Sequence, residues 1–111
     1  MPPKFLGEFE QMVLLAILQL GEEAVGVGIL RELDQRAGRS VSRGTLYKTL
    51  ERLEVKGFLE WGLEEGGEER GGNRRRRFRV TPRGITALQE SRKAFESLWE
   101  GLEGLAEGSG S

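Results

Sequence analysis

The stretch Val41–Glu60, VSRGTLYKTLERLEVKGFLE, decides how this chain is built, together with Arg74–Gly84, RRRRFRVTPRG, which follows after a glycine-rich gap. Ser42 stands as an N-cap. Leu46, Leu50 and Leu53 recur at i, i+4 and i+7, so the spacing predicts a helix with one buried stripe, running to about Lys56 before Gly57. At roughly 100° per residue the same helix places Thr45, Lys48 and Arg52 on the side away from that stripe, a polar and basic side. Residues 58–63 (FLEWGL) then read as a strand, residues 64–73 (EEGGEERGGN) as an exposed, mobile turn, and residues 74–81 (RRRRFRVT) as the returning strand. Alternation sends Arg75, Arg77 and Arg79 to one face, toward solvent or phosphate, and Arg74, Arg76, Phe78 and Val80 to the other. Phe78 and Val80 must face the core.

Upstream, Phe5–Leu20 repeats apolar residues at spacings of three and four and is apolar nearly all round in its second half, which predicts a helix covered on more than one side. Gly21 stops it, and Gly26–Ala37 forms a second, shorter helix ended by Gly38. Downstream, Thr81 and Pro82 open a long helix running toward Leu105. Along it Ile85, Leu88, Arg92, Phe95, Trp99, Leu102 and Ala106 fall on a heptad seam interrupted by Arg92. A seam needs a partner, and a second copy of the chain is the economical one. The expected division is therefore a three-helix and hairpin unit at 1–81, a dimerisation helix at 82–107 and a flexible GSGS tail at 108–111. The expected dimer interface is Phe9, Val13 and Ile17 with Ile85, Leu88, Phe95, Trp99 and Leu102.

Composition narrows the function. The 111 residues contain no cysteine and no histidine, which removes thiolate and imidazole metal sites, cysteine nucleophiles and histidine bases. No metal site, cofactor or enzymatic activity is expected, and a hydrolase built on paired carboxylates would have surface and loop glutamates alone to use. A reducing cytoplasm suits a chain without cysteine, and the longest apolar run, Met12–Leu18, is too short to span a bilayer. The net charge of −1 conceals strong segmentation: residues 1–38 carry −3, residues 39–83 carry +5 and residues 84–111 carry −3. Such a molecule draws a polyanion to one face.

The order is three helices, the third with a basic outer face, then a basic β-hairpin, then a long apolar-seamed helix. The fold class is mostly α with a small β-hairpin wing, a winged helix-turn-helix plus a C-terminal helix. In such motifs one helix enters the major groove and the hairpin touches the adjacent backbone or minor groove. Ser42, Arg43, Thr45, Tyr47, Lys48 and Arg52 of the helix, and Arg74, Arg75, Arg76, Arg77 and Arg79 of the wing, are the candidate DNA contacts. A winged-helix adaptor that binds protein without DNA is the alternative, and it has no need of a positive middle between two negative ends. Trp99 and Phe95 could stack on a planar aromatic ligand at the two-fold or serve as interface packing alone.

VSRGTLYKTLERLEVKGFLE followed by RRRRFRVTPRGITAL resembles the PadR family of bacterial transcriptional regulators from Phe9 to about Leu105. The resemblance implies a cytoplasmic, nucleoid-associated homodimer, held by the C-terminal helix against the partner's first helix. It implies a pseudo-palindromic operator, usually repressed, with GTLYKTL as the recognition helix and Tyr47 meeting the DNA backbone. A single C-terminal helix is similar to the short subfamily. The four-arginine run and the glutamate-rich tip depart from the family pattern.

Overall fold

The computed structural model describes residues 6–64 and 75–106. Phe5, the expected turn from residue 65 onward, Arg74 and the tail lie outside the described residues.

Helix α1 (Glu8–Leu20) starts where Gly7 adopts an extended conformation and Glu10 reaches back to accept from the Gly7 amide at 2.8 Å. This one-sided capping satisfies a donor that the first turn cannot. A 3-10 turn at Gly21–Glu23 leads to α2 (Gly26–Ala37), closed by Gly38 at φ 63. Only glycine takes that left-handed conformation without steric cost. Helix α3 (Arg43–Val55) is capped as expected, with Ser42 accepting from the Thr45 amide at 3.0 Å. It sits on α1 and α2 through Leu46, Leu50 and Leu53.

Strands β1 (Leu59–Leu63) and β2 (Arg76–Val80) pair antiparallel, with Leu59 opposite Val80, Trp61 opposite Phe78 and Leu63 opposite Arg76. The free edge of β2 is covered too: the Phe78 amide donates to the Ala24 carbonyl at 2.8 Å, and Val25 bridges to Arg77. The returning strand is thus pinned on both sides to the domain. Phe78 and Val80 are buried, in agreement with the alternation. Val13, Leu14, Ile29, Leu33, Leu46 and Leu53 form the centre of the core, each contributing about 2 kcal/mol by its removal from water.

Helix α4 (Pro82–Trp99) begins with a double-acting cap: the Thr81 hydroxyl accepts from the Gly84 amide at 3.1 Å and donates to the Gly57 carbonyl at 2.7 Å. Two expectations about this helix are corrected. The stripe it buries within the chain is Gly84, Ala87, Leu88 and Ser91, which shares only Leu88 with the expected partner-facing seam, and its small residues let the helix approach the Phe58 backbone closely. Arg92 points outward and pairs with Glu96 at 3.0 Å. The helix also ends at Trp99 rather than running toward Leu105: Gly101 takes φ 87, and only a four-residue helix, α5 (Glu103–Ala106), follows.

Candidate nucleic-acid interface

The first turns of α3 carry the polar face. Ser42, Arg43, Thr45 and Lys48 are exposed, and the Ser42 hydroxyl donates to Thr45 Oγ1 at 2.9 Å. Tyr47 is half-buried at the edge of this face. Its ring meets Phe78 edge-on at 6.2 Å between centroids, while the guanidinium groups of Arg43 and Arg76 each lie 5.8 Å from its centre. Its hydroxyl stands against Gly26 at the start of α2, where any Cβ would collide with it. The first turn of α2 has no side-chain cap. One tyrosine thus joins the start of α2, the first half of α3 and the wing strand.

Arg76 is the wing cation that belongs to this cluster. It lies 4.6 Å above the Trp61 ring, and Trp61 Nε1 donates to Glu54 Oε1 at 3.1 Å, so hairpin and α3 are tied together. The other wing arginines are arranged differently from the expectation. Arg75 pairs with Glu64 at 2.8 Å, Arg77 with Glu22 at 2.9 Å and Arg79 with Glu60 at 3.2 Å. All three lie on the strand face opposite Tyr47. The cause is register: Glu60 is the cross-strand neighbour of Arg79, and the bridge to Val25 brings Arg77 beside Glu22. Arg43, Lys48 and Arg76, by contrast, have no carboxylate partner among the described residues.

Arg52 is a second correction. It turns toward α1, where Arg52 Nε donates to Glu10 Oε2 at 3.3 Å and Lys56 Nζ to the same oxygen at 2.9 Å. Arg52 and Lys56 lean on α1 at the end of the helix, and Thr49 on the same margin is buried; the outermost line is Gly44, Lys48, Glu51 and Val55, the last 83% exposed. Burial alone would raise the Glu10 carboxyl pKa. The hydrogen bond from Lys56, that from the Gly7 amide, the Lys56 charge and the Arg52 hydrogen bond outweigh it and hold the group below the ordinary carboxylate value. Sequence reasoning missed both Glu10 and Gly26. Glu10 was visible as a carboxylate at an apolar phase, in step with Val13, Leu14 and Ile17, but only the fold shows what it faces.

The expected partner-facing residues divide. Val13 and Ile17 are buried because α1 uses that stripe against α2 and α3, and Leu88 is buried in the packed stripe of α4, so all three are corrected to core positions. Phe9 is half-buried under the Arg39 guanidinium at 5.2 Å. Ile85, Phe95, Trp99 and Leu102 are exposed, as are Leu15, Leu18 and Leu98, which were not singled out. A groove of about 630 Å³ runs between α1 and α4, walled by Met12, Leu15, Ala94, Phe95 and Leu98. Phe95 lines it and Trp99 does not. Among the described residues no cluster of metal-ligating side chains occurs, and no helix is long and apolar enough to cross a membrane.

Residues 14–90 match the model of the transcriptional regulator PadR-like family. Transcriptional regulator Rv3488 of Mycobacterium tuberculosis is 45% identical over 78 residues, which are 68% of this chain and 66%, just under two thirds, of that protein. A PadR family regulator from Eggerthella lenta superposes with a TM-score of 0.65 at 29% identity, covering 90% of this chain and 87% of its own. A PadR-like regulator from Bacillus cereus gives 0.70 at 23% identity over 93% of both chains, a likeness of fold. With the family model spanning most of the chain and the winged-helix architecture in place, this chain belongs to the PadR-like family of transcriptional regulators.

Proposed function

We propose that the chain represses transcription by binding double-stranded DNA as a two-fold pair, the first half of α3 entering the major groove and the wing meeting the flanking phosphates. The observation that carries this reading is the segregation of cations. Arg43 and Arg76 lie over the Tyr47 ring and Lys48 is exposed on the same helix, and among the described residues none of the three has a carboxylate partner, while Arg75, Arg77, Arg79 and Arg52 are held by glutamates elsewhere. Uncompensated charge on one face is what phosphate binding and counterion release require. Tyr47 supplies a hydroxyl at the start of α2, where backbone amides favour an anion.

Two-fold pairing is supported by the exposed apolar residues Phe95, Leu98, Trp99 and Leu102, of which Phe95 and Leu98 line the groove against α1. Burying these residues against a second copy removes them from water and sets two α3 helices at a fixed separation, which a pseudo-palindromic operator would match. A planar aromatic effector stacking on Phe95 and Trp99 would change that separation. The protein acts as a cytoplasmic, nucleoid-associated regulator and catalyses nothing. The test is an anisotropy titration with duplexes from the chain's own upstream region at low and moderate salt. Tight binding that weakens steeply with salt is expected, and absence of binding at low salt would overturn the reading.

A further inference from the structure

Glu10 has no part in the surface just described, yet its surroundings are the most constrained of any charged group on α1. Its side chain is 9% exposed and ends against two cations that project from the last two turns of α3, Arg52 and Lys56, one helical turn apart. It also holds the Gly7 amide. On other faces of the same helical turns, Glu8, Gln11, Met12 and Leu15 line the groove between α1 and α4. We propose that Glu10 is a positioning residue for DNA recognition: its carboxylate fixes α3 to the helix that would meet the partner chain, and keeps Arg52 and Lys56 off the phosphates. This rests on the DNA-binding reading given above.

The geometry implies two opposite effects when the tether is cut. Holding the last turns of α3 aims its first turns, so a loosened α3 loses alignment of Arg43, Thr45 and Lys48 with base edges. Freed Arg52 and Lys56, in contrast, become available to any duplex. A residue of purely structural importance would shift affinity for all DNA together. Glu32 supplies the control for charge, since it lies on α2, lines neither the groove nor the polar face of α3, and makes one ion pair, with Arg36 on its own helix at 3.4 Å.

The full-length chain is compared with Glu10→Gln and Glu32→Gln by anisotropy, against its selected operator and a random duplex of equal length. Glu10→Gln should lower the operator-to-random affinity ratio by about tenfold, the discrimination carried by one base pair, with random-duplex affinity equal or higher. Glu32→Gln should leave the ratio unchanged. In the absence of DNA, amide exchange of residues 50–55 should accelerate by about fivefold in Glu10→Gln relative to residues 29–33 of α2. Should Glu10→Gln not fold, Lys56→Met, which cuts the shorter contact, should produce both changes at reduced size. An unchanged ratio in a folded variant, or exchange rates that match the wild type, overturns the proposal. Wild-type protein that binds neither duplex sinks the DNA reading instead, and the exchange arm then decides the tether alone.

Discussion

Replacing Arg76 with alanine separates the structural account of the wing from one in which all its arginines act alike. Arg76 is the described wing arginine on the Tyr47 side, and it has no carboxylate partner among the described residues. If each protomer of a pair places one such guanidinium on a phosphate, the substitution removes two contacts per duplex and flattens the slope of log affinity against log salt by about 1.8. At roughly 0.1 M salt this corresponds to about a 60-fold loss, equal for operator and random DNA because a phosphate contact carries no base information. Loss of the stacking on Trp61 costs about 1 kcal/mol of stability at most, so the domain stays folded. Arg79, on the opposite face and 3.2 Å from Glu60, is the matched control and should flatten the slope by less than half as much. Anisotropy at five salt concentrations measures both slopes. Equal effects of the two substitutions, or no effect of Arg76→Ala, would refute the assignment of the wing's DNA-facing side.

Other consequences are equally open to measurement. Gly84→Ala puts a Cβ against the Phe58 carbonyl and 2.7 Å from Val80 Cγ1, so stability in urea should fall by about 1–3 kcal/mol. Leu98→Glu places charge on a residue 77% exposed in the single chain; sedimentation should show dissociated but folded protomers, and an unchanged pair would misplace the interface. Acidification tests the Glu10 network by sign. Its folded pKa is lowered, so its stabilisation is complete above the ordinary value of 4.5 and is lost as pH falls through the folded value. The wild-type melting temperature should therefore drop more steeply below pH 4.5 than that of Glu10→Gln.

Local signals were legible. The Ser42 and Thr81 caps, the glycine stops and the alternation of Phe78 and Val80 follow from stereochemistry within a few residues, and the structure places them where the pattern puts them. The phase of α4 was not, because a stripe of Gly84, Ala87 and Ser91 has no hydrophobic signal; its small size matters only against the backbone it meets. Gly101 marked the end of that helix, but the heptad spacing running through Leu102 masked it. Pairing of Arg77 with Glu22 and of Arg52 with Glu10 joins residues far apart in the chain, and only tertiary packing decides which cations remain free. Thus the sequence located the basic segment, and the fold paired Arg52, Arg75, Arg77 and Arg79 within it while Arg43, Lys48, Arg76 and Arg83 have no carboxylate partner among the described residues.

The central claim is that two copies of this surface, α3 with Tyr47 and Arg76, act on one duplex in two-fold register. Selection of bound sequences from a random duplex pool by the full-length chain tests it most directly. Enrichment of a consensus with two related half-sites, centred about one helical turn apart or a multiple of it, is the outcome the account predicts. A pool that returns unenriched, or a consensus lacking a two-fold, would contradict it.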